Sequence, residues 1–97
     1  MGLYDYKGAL ADYDQIIPLK PQDIQTRFIR ARLRSQLKDY KGAIADANYV
    51  IQLNPKEAEA YLLRSQIRRH LGDNQGAIAD EQTGNTLFKA MDEEDPS

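Results

Sequence analysis

Asp5-Tyr6-Lys7-Gly8-Ala9-Leu10-Ala11-Asp12 returns as Asp39-Tyr40-Lys41-Gly42-Ala43-Ile44-Ala45-Asp46, and again as Asp73-Asn74-Gln75-Gly76-Ala77-Ile78-Ala79-Asp80. Each return comes 34 residues after the last, and Pro21 and Pro55 keep the same step. A fixed period of this length marks a solenoid, in which each unit cannot bury its apolar face alone and stacks on its neighbours. Such an array presents an extended surface, not one cleft. The period therefore predicts binding.

Asp5, Asp39 and Asp73 each precede a helix-like stretch, where a carboxylate can accept from the first free backbone N–H groups. No Glu or Gln follows three residues later, so a capping box is absent. After Asp39 the apolar residues Ala43, Ile44, Ala47, Val50 and Ile51 recur at helical spacing, and Pro55 ends the run. Ala9, Leu10, Tyr13, Ile16 and Ile17 match it between Asp5 and Ile17, where Pro18 stops or kinks the helix. Two further helices are predicted at about 24–37, with Ile29, Leu33 and Leu37, and at about 58–71, with Leu63, Ile67 and Leu71. Gly72 suits a left-handed cap on the second of these. A last helix runs from about Gln75 to about Met91, and residues 92–97 read as a disordered acidic tail.

Five helices thus follow in the order B, A, B, A, B. The chain looks like a tetratricopeptide repeat (TPR) protein over about residues 3–88. The resemblance rests on the 34-residue period, on Ala9, Ala43 and Ala77 at the small position of helix B, on Tyr13 and Tyr61 at aromatic positions, and on Pro21 and Pro55 closing their units. It implies an all-α right-handed solenoid of antiparallel helix pairs over 1–91, with units of about 1–23, 24–57 and 58–91. The departures are Arg30-Ala31 and Arg64-Ser65 for the family's Leu-Gly pair, Arg27 for an aromatic, and Ala47 and Glu81 for another. They predict looser packing in the last unit.

One departure recurs. Arg30 and Asp46 are 16 residues apart, and so are Arg64 and Asp80. That spacing sets an Arg of helix A beside an Asp of helix B in the same unit, and a guanidinium fork on a carboxylate is a directional contact. Asp12 holds the same slot in the first unit, whose helix A is missing from this sequence. The first helix should therefore expose Leu10, Tyr13, Ile16 and Ile17, a set suited to self-association as a homodimer or to joining a longer array. At the other end, Glu81, Gly84 and Asn85 predict a polar outer face.

The resemblance implies a concave groove lined by helix A residues: Gln25, Phe28, Arg32, Ser35 and Gln36, then Glu59, Leu62, Gln66, Arg69 and His70. Steps of three and four within each set, with one adjacent pair, make each a single helical face. Phe28 and Leu62 are apolar anchors, and Arg32 and Arg69 are cations left over once Arg30 and Arg64 pair with helix B. The surface suits a peptide or partner helix with acidic and apolar side chains. Some TPR proteins grip a chaperone's C-terminal carboxylate with Lys, Asn and Arg. Here the comparable places hold Arg32 and Gln66.

Other classes lose ground on composition. There is no Cys and one His, His70, so no cofactor or metal centre is expected, and no constellation marks an enzyme. The glycines lack phosphate-loop spacing. A net charge of −2 argues against nucleic acid, and single-stranded RNA binding lacks stacking aromatics at equivalent groove positions. No signal peptide or transmembrane run is visible, so the expected location is cytoplasmic, without a membrane partner.

Overall fold

The computed structural model describes residues 5–94, the last three by their backbone alone. Among the described residues there are five helices: α1 (Tyr6–Ile16), α2 (Ile24–Gln36), α3 (Tyr40–Leu53), α4 (Ala58–His70) and α5 (Asn74–Glu94). The first four end within a residue or two of the positions that Pro18, Leu37, Pro55 and Leu71 predict. The last runs three residues past Met91, so 92–94 are helical rather than a tail, and 95–97 lie outside the described residues.

The repeated phrase is a capping device. Gly8, Gly42 and Gly76 donate their N–H to Asp5, Asp39 and Asp73 Oδ1 at 2.9, 3.1 and 2.9 Å. A Cβ at Gly42 would run into the Asp39 carboxylate folded over it, which is why glycine recurs at that place. Sequence reading passed over a fourth cap, Asp23. Its Oδ1 accepts from Gln25 N–H at 3.1 Å, and the Thr26 hydroxyl donates to its Oδ2 at 3.0 Å. That hydroxyl, then the Thr26 N–H, holds the Asp23 carboxyl below its ordinary value.

The A-to-B turns are equally economical. Lys38 N–H donates to Ser35 O at 3.0 Å and Asp39 N–H to Arg34 O at 2.8 Å. Gly72 and Asp73 repeat both bonds, to Arg69 O at 3.1 Å and Arg68 O at 2.8 Å. This double closure is a Schellman motif, and it needs a left-handed residue after the helix. Gly72 supplies it at φ 86°, and Lys38 does so at φ 66° despite its Cβ. Asp39 and Asp73 therefore end one helix and cap the next.

Each helix packs on its chain neighbours, and among the described residues the only other pair in contact is α2 with α4. The A helices thus converge while the B helices α1, α3 and α5 stay apart, so the A layer forms the inner, concave side. The core is Ala31, Ala43, Leu63 and Ile67, with Phe28, Tyr40 and Ile44 packed against it. Alanines at 31, 43, 47, 60 and 77 are fully buried and let the helix axes approach. Burying Ile67 alone is worth roughly 1.5–3 kcal/mol.

Two expectations are corrected. The last unit does not loosen: α5 packs along α4 at least as extensively as α3 along α2. Gly84 is buried, and a Cβ there would meet Leu62 Cδ2 at 2.8 Å and Ala58 O at 3.1 Å, so its missing side chain lets α5 close in. Nor is the outer face of α5 purely polar, since Ile78, Phe88 and Met91 are exposed.

Candidate functional site: the concave groove and the arginine seam

The seam between helices A and B is built the same way twice. Arg30 Nε and Nη2 donate to Asp46 Oδ2 and Oδ1, both at 2.8 Å. Arg64 does the same to Asp80 at 2.8 and 2.7 Å. Both carboxylates are buried, at 2% and 3% exposure. Their hydrogen bonds raise the affinity of Arg30 and Arg64 for their protons.

Each Asp takes a second guanidinium that sequence reading missed. Arg34 Nη1 donates to Asp46 Oδ2 at 3.1 Å, and Arg68 Nη1 to Asp80 Oδ2 at 2.8 Å. The signal was available, because Arg34 and Arg68 are themselves 34 apart and each lies one helical turn after the first Arg. The first Arg also reaches back one unit. Arg30 Nη1 donates to Asp14 Oδ1 at 3.0 Å, and Arg64 Nη1 to Asn48 Oδ1 at 2.8 Å. One side chain thereby ties two helices of one unit to the unit before it. Arg27, a departure from the family's aromatic, donates from Nε to Pro21 O at 3.0 Å. Tyr61, one period later, donates from Oη to Pro55 O at 3.0 Å. Each braces the equivalent turn of its own unit, and Arg27 also stacks on the Tyr49 ring and stands 3.7 Å from Asp46 Oδ1, a third guanidinium on that carboxylate.

The groove lies between α2 and α4, a depression of about 320 Å³. Seven of the ten expected residues line it: Phe28, Arg32, Ser35, Gln36, Glu59, Leu62 and Gln66, joined by Leu63. Phe28 and Leu62 are half-buried and make an apolar floor, whereas Arg32, Gln36, Glu59 and Gln66 are exposed around it. Arg32 has no acidic partner among the described residues.

The other three fall elsewhere. Gln25 is exposed and outside the lining. Arg69 Nη1 donates to Glu81 Oε2 at 2.8 Å. That bond raises the Arg69 value and lowers that of Glu81, so Arg69 is not the free groove cation expected. His70 lies flat on the Tyr40 ring, centroids 4.6 Å apart and planes 8° apart, which takes it out of the groove. The α1 set also needs correction. Ile17 is buried at 5%, Leu10 and Tyr13 are half-buried, and only Ile16 of the four is exposed.

Among the described residues no group of His, Cys, Asp or Glu could hold a metal ion, and no helix is long and apolar enough to cross a membrane. The arrangement offers recognition chemistry: a shaped apolar floor, one unpaired cation, and amide and hydroxyl groups.

A family model for the tetratricopeptide repeat matches residues 1–68. No curated protein matches the chain. Among solved structures the chain is similar to MamA MSR-1 C2, at 17% identity and TM-score 0.84 over 89% of this chain. It spans about half of that protein, 49%. It is also similar to the second TPR of Spaghetti (RPAP3) bound to the HSP90 peptide SRMEEVD, at 24% identity and TM-score 0.81, over 84% of this chain and 76% of that one. A third is the TPR2B domain of yeast Sti1 in complex with pHsp70, at 22% identity and TM-score 0.85, over 92% and 71%. Likeness at these identities is likeness of fold.

Proposed function

The chain belongs to the tetratricopeptide repeat family, and we propose that it is a non-catalytic scaffold whose groove between α2 and α4 binds a peptide segment of a partner protein. The observation that carries this reading is the conjunction of an apolar floor, Phe28 and Leu62, with the unpaired Arg32 at its edge. An apolar side chain of the ligand fills the floor, and an adjacent carboxylate meets the Arg32 guanidinium. Ser35, Gln36 and Gln66 then bond the ligand's backbone. The peptide held by the second TPR of Spaghetti, SRMEEVD, has that make-up, with Met beside Glu and Val beside Asp. Its likeness supports the class of ligand proposed here and not that partner.

The test is a fluorescence anisotropy titration with two labelled peptides, one alternating Glu with Met or Leu, the other with every Glu replaced by Gln. The acidic peptide should bind the more tightly, with an affinity that falls as salt rises. Arg32→Glu should reduce it at least about tenfold and leave the helical circular dichroism unchanged. Equal binding of the two peptides, or an Arg32→Glu variant that binds as before, would move the site out of this groove.

A further inference from the structure

The groove carries an unpaired carboxylate as well as an unpaired guanidinium. Glu59 and Arg32 are both exposed and line the same depression. Every other arginine of the chain stands on a carboxylate: Arg27, Arg30 and Arg34 on Asp46, Arg64 and Arg68 on Asp80, and Arg69 on Glu81. Glu59 is the one acid on either A helix, α2 or α4. It has no ion pair or side-chain hydrogen bond among the described residues, although Arg64, Arg68 and Arg69 share its helix.

The two charges stand at different levels and on opposite walls. Helices that follow one another here are joined by short turns and run antiparallel, so α2 and α4 run the same way. Glu59 on α4 matches Gln25 on α2 one period earlier. Arg32 comes seven residues after Gln25, which at a rise of about 1.5 Å per residue is about 10 Å further along the groove. Phe28 on α2 and Leu62 on α4 are themselves one period apart and stand between those two levels. From the N-terminal ends of the helices the groove therefore presents Glu59 from α4, then Phe28 from α2 and Leu62 from α4, then Arg32 from α2.

An extended peptide has the matching repeat. It advances about 3.3 Å per residue, so its first and fourth residues lie about 10 Å apart. Its side chains leave alternately to two sides, so the first and third face one wall and the second and fourth the other. A helical ligand does not match. It covers about 10 Å in seven residues, and that step returns the side chain to the same face and hence to one wall.

We infer that the groove selects a bipolar, extended segment of a partner protein: a Lys or Arg, two apolar residues, then an Asp or Glu, with the cation on Glu59, the apolar pair on Phe28 and Leu62, and the acid on Arg32. This rests on the groove being a peptide site, and adds to it the position and sign of a second charge. The walls fix the order of the charges along the groove, and the spacing is the same read from either end of the peptide. Glu59 also stands in the first turn of α4, where a carboxylate favours the helix itself. That role carries no preference between ligands, so a binding measurement separates it from recognition.

The probes are labelled, capped peptides with Lys-Leu-Leu-Asp or the reverse, Asp-Leu-Leu-Lys, at their centre and Gly and Ser on either side. They are titrated by anisotropy against the full 97-residue chain, and the tighter of the two is carried forward. Replacing its Lys by Gln should weaken binding at least about fivefold in the wild type and change nothing in Glu59→Gln. Glu59→Lys should invert the preference, so that Glu is favoured over Lys at that place. Circular dichroism checks that these variants of an exposed side chain keep the fold. A peptide lacking one Leu should bind more weakly, and undiminished binding would overturn the spacing. A Lys-to-Gln loss that is the same in wild type and Glu59→Gln overturns the bipolar register. In that case an Asp-to-Asn loss that vanishes in Arg32→Gln leaves the peptide groove itself standing. If neither charge couples to its wall, or neither peptide binds, the groove fails as a peptide site and the register fails with it.

Discussion

Arg30 lies across Asp46 with both ends of its guanidinium fork engaged at 2.8 Å, and Arg64 reproduces the contact on Asp80 one period later. The Arg is fixed by a hydrogen-bonding geometry that Lys cannot copy. The carboxylate is nearly solvent-free and the guanidinium about one-seventh exposed, so the pair is a partly desolvated contact rather than a surface one. Removing one partner of such a pair strands the other.

Asp46→Ala should therefore cost about 3–5 kcal/mol in urea unfolding, because Arg30 and Arg34 both lose their acceptor. Arg34→Ala should cost clearly less, since Arg30 still satisfies the carboxylate. A neutral Asp46→Ala would mean that the seam is decoration on a fold held by apolar contact alone.

Lys38 and Gly72 occupy equivalent turns with φ of 66° and 86°. Only glycine adopts that region without strain. Lys38→Gly should stabilise the protein by about 1 kcal/mol, and Gly72→Ala should destabilise it by a similar amount. Nothing lies within 4 Å of a Cβ at residue 72, so any effect there is conformational rather than a clash. Thermal melts of the two variants should move in opposite directions.

Gly84→Ala tests the closeness of α4 and α5. The added methyl meets Leu62 Cδ2, which can turn aside, and the Ala58 carbonyl, which cannot. A loss of about 1–3 kcal/mol is expected. Because Leu62 also floors the groove, affinity for the acidic peptide should fall in the same variant, measured by anisotropy well below its melting temperature.

Arg32 and Arg69 should separate in binding. Arg32→Ala removes an unpaired groove cation and should weaken the acidic peptide markedly. Arg69→Ala removes a cation already bound to Glu81 and should change affinity little. Equal losses would show that the Glu81 pair opens to admit ligand.

Asp23 provides the pH test. Its carboxyl is held below the ordinary 3.8 by the Thr26 hydroxyl and then the Thr26 N–H. A lowered folded value means that the cap's contribution is complete above the unfolded value and is lost as pH falls through the folded one. An NMR titration should place the Asp23 midpoint below 3.8, and Thr26→Val should raise it towards that value. A midpoint indifferent to Thr26→Val would leave the backbone N–H groups, with the nearby Lys20 charge, as the cause.

The amino-acid sequence alone determined the five helices, three of their four aspartate caps, and the pairing of Arg30 with Asp46 and Arg64 with Asp80. Each of these is a short-range consequence of helical period, turn chemistry or a repeat, so one chain read along its length contains it. Asp23 escaped because it stands outside the repeated phrase. Most of the groove was legible for the same reason, since residues at steps of three and four on one helix share a face wherever that helix goes.

Only the tertiary structure decided what lies across from those faces. It turned Ile17 into the protein and left Ile16 outside, buried Gly84 under Leu62, joined Arg69 to Glu81, laid His70 on Tyr40, and carried Arg30 and Arg64 back to Asp14 and Asn48. These contacts join helices whose mutual angle and separation arise from how side chains of different volume interdigitate. Periodicity gives the direction in which a side chain leaves its helix, and packing gives the distance to whatever it meets.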